Sequence, residues 1–131
     1  MRGLALVALL ALPGCAGIQQ KSPFLGGLWG GPHVQLLLEG GVGTVDFDCA
    51  SGTIDSPLPA GGPFSSPGSY RAGQPGPIRV GQVFTSQRAT YVGAVAEDKV
   101  TMTLSVRLED STIVGPFTLT KDAPGQLTRC L

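Results

Sequence analysis

Val100-Thr101-Met102-Thr103-Leu104-Ser105-Val106-Arg107-Leu108 decides the fold. Five apolar residues alternate strictly with Thr101, Thr103, Ser105 and Arg107. Period-two alternation over nine residues predicts a strand with one buried face and one wet face. Its flanks extend the pattern into an antiparallel meander. Arg88 to Val95 leads in through the turn Ala96-Glu97-Asp98, and Glu109-Asp110-Ser111-Thr112 turns the chain into Ile113 to Thr120. There Phe117 and Leu119 alternate with Thr118 and Thr120. Pro116 cannot donate to a ladder, so it marks an edge, a bulge or a strand crossing. Lys121 to Gly125 reads as a further turn, and Leu127 to Leu131 as a last short strand.

The first half follows the same logic. His33 to Leu38 reads as a strand, Glu39-Gly40-Gly41 as a tight connection, and Val42 to Cys49 as the hairpin partner. In that partner Val45, Phe47 and Cys49 fall on one face, and Thr44, Asp46 and Asp48 on the other. Ala50-Ser51-Gly52 is expected to turn into a strand from Thr53 to Leu58. Pro57 to Gln82 holds six prolines and six glycines and reads mostly as loop, with one interrupted strand near Phe64 to Arg71. No helix is convincing. The count comes to about eight short strands, which predict an all-β, small antiparallel barrel closed on itself; a two-sheet sandwich is the alternative.

The amino terminus carries an address. Met1-Arg2 runs into ten apolar residues, Gly3 to Leu12, followed by Pro13-Gly14-Cys15-Ala16. A basic start, a short apolar run and small residues behind it describe a secretory leader. As a helix, ten residues rise only about 15 Å, roughly half of a hydrocarbon core, so the run is too short for a permanent span. The expected organisation is a leader over residues 1–14, a lipidated terminus and tether over 15–27, and one β domain over 28–131. Removing Arg2 leaves eight basic against nine acidic residues, a net charge of −1. No basic run is visible, which argues against nucleic acid as a partner.

Of three cysteines, Cys15 falls at the leader boundary and leaves Cys49 and Cys130. An even pair in an exported chain predicts one disulfide. It would close a loop of about 80 residues, for which chain entropy gives roughly 4–5 kcal/mol.

Leu12-Pro13-Gly14-Cys15 resembles the lipobox of bacterial lipoproteins. That resemblance implies a diacylated Cys15, with the membrane as partner through its lipid. Ala16 follows Cys15 in place of the Asp that resembles an inner-membrane retention signal, so the outer membrane or periplasm is the expected place. Cleavage after Ala16, at the small-x-small pattern of Gly14-Cys15-Ala16, is the competing reading and would release a soluble secreted protein.

Further resemblances attach to the domain. Trp29-Gly30-Gly31-Pro32-His33, Phe47 to Asp55, Gly115 to Leu119 and Cys130-Leu131 are similar to stretches of a group of small exported bacterial proteins, which implies no particular activity. Gly27-Leu28-Trp29 resembles the Gly-x-Trp opening of lipocalins and other calycin barrels. There the Trp closes one barrel end beneath a basic residue of the last strand, which makes Trp29 and Arg129 the candidate barrel-end pair. Ser65-Ser66-Pro67-Gly68-Ser69-Tyr70-Arg71 is similar in residue types, in a different order, to the inhibitory loop of lipoproteins that block C-type lysozyme.

Catalytic signals are thin. His33 is the sole histidine, Ser65, Ser66 and Ser69 lie outside any Gly-x-Ser-x-Gly elbow, and Asp46 with Asp48 lacks a third acidic ligand. No catalytic residue, metal or cofactor is expected, and the chain does not read as an enzyme. Three function classes stay open: a binding or structural module of the cell envelope, a carrier of a small apolar ligand, and an inhibitor of a hydrolase such as lysozyme. For the first, Phe64, Tyr70 and Arg71 in the Gly/Pro-rich stretch form the candidate contact loop toward an unknown protein.

Overall fold

The computed structural model describes Gly3 and residues 23–73 and 85–128. Cys15, Arg129 and Cys130 lie outside the described residues. Eight antiparallel strands form one closed barrel: β1 (Gly27–Gly31), β2 (Val34–Glu39), β3 (Val42–Phe47), β4 (Ala50–Ile54), β5 (Gly62–Ala72), β6 (Gln87–Val95), β7 (Thr101–Leu108) and β8 (Ile113–Lys121). Each strand pairs with the next, and β8 returns to β1 through Trp29 opposite Lys121 and Gly30 opposite Thr120. Closure excludes the sandwich.

β7 behaves as its alternation requires. Met102, Leu104 and Val106 are buried, Thr103 and Arg107 face out, and only Val100 departs, since the chain is still turning there. Gly40 and Gly41, at φ 60° and 85°, make the two-residue connection from β2 to β3. Both central residues of such a turn need positive φ, and glycine takes it without steric cost. Pro116 accompanies a bulge: the β7–β8 register shifts between Leu104 and Val106.

The interior is filled. Trp29, Leu36, Val45, Ile54, Tyr91, Met102, Leu104 and Leu119 are each at most 2 % exposed and belong to one hydrophobic cluster. Eight strands leave an interior that side chains can just fill. Burying each such large apolar side chain is favourable by about 1.5–3 kcal/mol.

Four expectations are corrected. The strand expected to be interrupted near Phe64 to Arg71 is continuous: β5 runs eleven residues, Gly62–Ala72, and is the longest strand among the described residues. β4 ends opposite Gly68, so the earlier half of β5 has no ladder on that side. The Pro67 carbonyl points there, accepting from Asp55 N–H at 2.9 Å, so its ring nitrogen faces the end of β4 and not the β6 ladder. Pro63, four residues earlier, shares that side by the same alternation.

The expected turn Ala50-Ser51-Gly52 is already strand; the chain reverses at Asp48-Cys49, with Cys49 at φ 57°. Cys49 is therefore in a turn and does not share the face of Val45 and Phe47, and Asp48 does not share a strand face with Asp46.

β1 precedes the strand expected to be first, and the barrel begins inside the assumed tether. Leu25 is buried, and its N–H donates to Leu58 O at 2.8 Å.

Finally, residues 127 and 128 are not strand. Gln126 makes a single parallel bridge to Pro32, and residues 123–125 lie against the outer side of β1. A Cβ on Gly30 would overlap that segment, so only glycine lets the strap sit down.

Candidate functional site

The meander sorts the connections to two ends. Residues 40–41, 55–61, 96–100 and Asp122 gather at one end; the turns at 32–33, 48–49 and 109–112 gather at the other.

The first end carries a groove of about 880 Å³. Its floor is Trp29, 1 % exposed, whose indole N–H donates to Gly26 O at 3.1 Å. Two crossing segments form its apolar wall. Residues 23–26 and 57–61 are tied together by Leu25 N–H to Leu58 O at 2.8 Å and Ala60 N–H to Pro23 O at 3.0 Å. Leu58 is fully buried and plugs the barrel end, its own N–H donating to Gly41 O at 2.9 Å. The buried Ser66 hydroxyl holds the same loop from below: it donates to Ser56 O at 2.8 Å and accepts from Ser56 N–H at 3.2 Å. Phe24, 44 % exposed, stands at the groove's edge.

Two lysines complete the groove. Lys121 is the register partner of Trp29 and so stands on the inward side of β8 where that strand ends. Lys99 occupies the turn before β7 at φ 63°, and its ammonium lies against Gly61, where a Cβ would overlap it. The two backbones are neighbours, with Lys121 N–H donating to Val100 O at 2.9 Å. Among the described residues neither ammonium has an ion-pair partner, and no acidic residue lines the groove.

The opposite end is a latch. His33 Nδ1 meets Asp48 Oδ2 across the two turns. The other oxygen of Asp48 accepts from Thr128 N–H at 2.6 Å. His33 N–H donates to Gln126 O at 2.9 Å, and Gln126 N–H to Gly31 O at 3.0 Å. The Thr128 N–H, aided by His33, holds the Asp48 carboxyl below the usual carboxylate range. Inside this end Phe47 packs against Tyr70 and Phe117, at ring separations of 5.7 Å and 5.3 Å. Burial raises the Tyr70 phenol above its ordinary value.

A second depression, of about 400 Å³, includes Arg88, Arg107, Asp55 and Glu109 in its lining. Two cations face two carboxylates there, so it presents no net field to a charged ligand.

The expected contact residues do not form a loop. Phe64, Tyr70 and Arg71 all lie on β5, and Phe64 points into the core at 7 % exposure. The stretch resembling the lysozyme-inhibitor loop is on the same strand. Trp29 is buried at the groove end, and the residue that β8 places opposite it is Lys121; Arg129, its expected partner, lies outside the described residues. No group of three metal-ligating side chains occurs among the described residues. Sequence reasoning missed the groove because turn residues build it. The parity of the meander was the available signal, since alternate connections of an up-and-down barrel must share an end. No family model, curated protein or solved structure matches the chain.

Proposed function

We propose that the chain is a non-catalytic lipoprotein of the cell envelope, exported by its leader, held to the membrane through lipid on Cys15, and acting as a small binding or structural module. The observation that carries this reading is where the chain joins the barrel. Pro23 and Phe24 are bonded into the groove end, Phe24 by a bridge to Pro59. Eight residues from Cys15 to Ser22 reach at most about 28 Å when extended. A lipid on Cys15 would therefore keep the groove end near the membrane and present the latch end to the periplasm.

The proposed Cys49–Cys130 disulfide is supported by the latch: Thr128, two residues before Cys130, is hydrogen-bonded to Asp48, the neighbour of Cys49. The filled interior turns a carrier reading away from the lumen and toward the groove. Fractionation tests the anchor: the wild-type chain is expected with membranes and Cys15→Ala in the soluble fraction. Equal distribution of the two would remove the lipoprotein reading.

A further inference from the structure

We propose that the groove at the Trp29 end is a binding site for a single-chain amphipathic anion, with its charged head between Lys99 and Lys121 and its hydrocarbon against Trp29, Leu25 and Phe24. Three properties of the groove converge on that chemistry. Its wall and floor are apolar, its volume of about 880 Å³ admits one alkyl chain, and its only charges among the described residues are two ammonium groups. Among the described residues those ammonium groups have no carboxylate ion-pair partner, whereas the arginines of the Arg88–Arg107 depression sit among acids. An unneutralised pair of cations at the rim of an apolar groove favours an anionic head on an apolar body. It disfavours a neutral or cationic one by the same charge.

The groove is also preformed. Backbone hydrogen bonds fix the 23–26 and 57–61 segments, and Ser66 fixes the loop from inside. A ligand therefore orders only the two lysine side chains, which limits the entropic cost of binding.

This inference rests on the binding-module part of the proposed function and not on the anchor. The test accordingly uses the full chain carrying Cys15→Ala, purified without detergent, so the two fail separately. Dodecanoate and dodecyl phosphate are titrated below their micellar concentrations by calorimetry, with the emission of Trp29, the sole tryptophan, as the local reporter. One saturable site is expected for both, with a change in Trp29 emission. The Lys99→Gln/Lys121→Gln variant is expected to weaken both at least tenfold and keep the far-ultraviolet spectrum. Phe24→Ala is expected to weaken them several-fold. Dodecyltrimethylammonium and inorganic phosphate are expected to bind at least tenfold more weakly than the dodecyl anions. Absence of saturable binding, equal binding of the dodecyl cation or inorganic phosphate, or unchanged affinity in the double lysine variant would each overturn the proposal.

Discussion

The hydroxyl of Tyr91 donates to the carbonyl of Ser69 at 2.7 Å, across the β5–β6 pair and inside the barrel. Tyr91 is fully buried, and burial pushes its phenol well above its ordinary value. Its ring fits because Gly68 lies beneath it and Gly52 beneath its hydroxyl; a Cβ on Gly52 would overlap both that oxygen and the Ser69 carbonyl. Tyr91→Phe removes one buried hydrogen bond and is expected to cost about 1–2 kcal/mol. Gly52→Ala forces the ring from its site and is expected to cost more, about 2–3 kcal/mol. Urea unfolding of the two variants checks the order.

Acid should loosen the latch end first. The Asp48 carboxyl is held low in the folded chain by Thr128 N–H and His33, relative to an unfolded value near the usual carboxylate range. Its contribution to stability is thus fully present above the unfolded pKa of about 3.9 and is lost as pH falls through the lower folded value. Asp98, bonded to Val100 N–H and Thr101, and Asp110, bonded to Thr112, act in the same direction. Asp48→Asn is expected to flatten the fall in melting temperature between about pH 4 and pH 2. A parent-like acid slope in that variant would show that the latch carries no linkage.

Ser66 holds the groove loop to β5. Ser66→Ala leaves Ser56 without its partner hydroxyl and is expected to cost about 1–3 kcal/mol. Hydrogen exchange should rise at Ser56 and Leu58 while the β6–β7 amides stay protected. Uniform loss of protection would mean that the loop is not an independent unit.

Much of the fold was legible because alternation reports which face is wet. Residues 101–108 and 113–120 read directly as strands, and Gly40-Gly41 as their turn counterpart in the first half. Misreadings had physical causes. β5 was read as interrupted because Pro63 and Pro67 normally break a ladder; here both stand with their ring nitrogens turned away from the β6 ladder. β1, Gly-Leu-Trp-Gly-Gly, shows no alternation because Gly30 is covered by the strap on its outer side as well as by the core within. Leu25 was assigned to a tether on composition; its burial depends on Leu58, more than thirty residues away, which no local pattern reveals. Lys121 was read as the start of a turn and Lys99 carries no pattern of its own, so only the shared barrel end brings them together.

Reduction should reveal the staple. Cys49→Ala/Cys130→Ala, or the parent under reducing conditions, is expected to lose about 4 kcal/mol of stability, the size expected for a closed loop of about 80 residues. Coincident denaturation curves for oxidised and reduced parent would contradict the Cys49–Cys130 pairing.

Intact mass spectrometry of the parent protein extracted from the envelope separates an acylated, stapled chain from a soluble, open one. The expected species is a polypeptide beginning at Cys15, heavier than the bare chain by roughly several hundred daltons of acyl groups, and lighter by two hydrogens for the bond between Cys49 and Cys130. An unacylated chain beginning at Gly17, or two alkylatable thiols in the native protein, would contradict it.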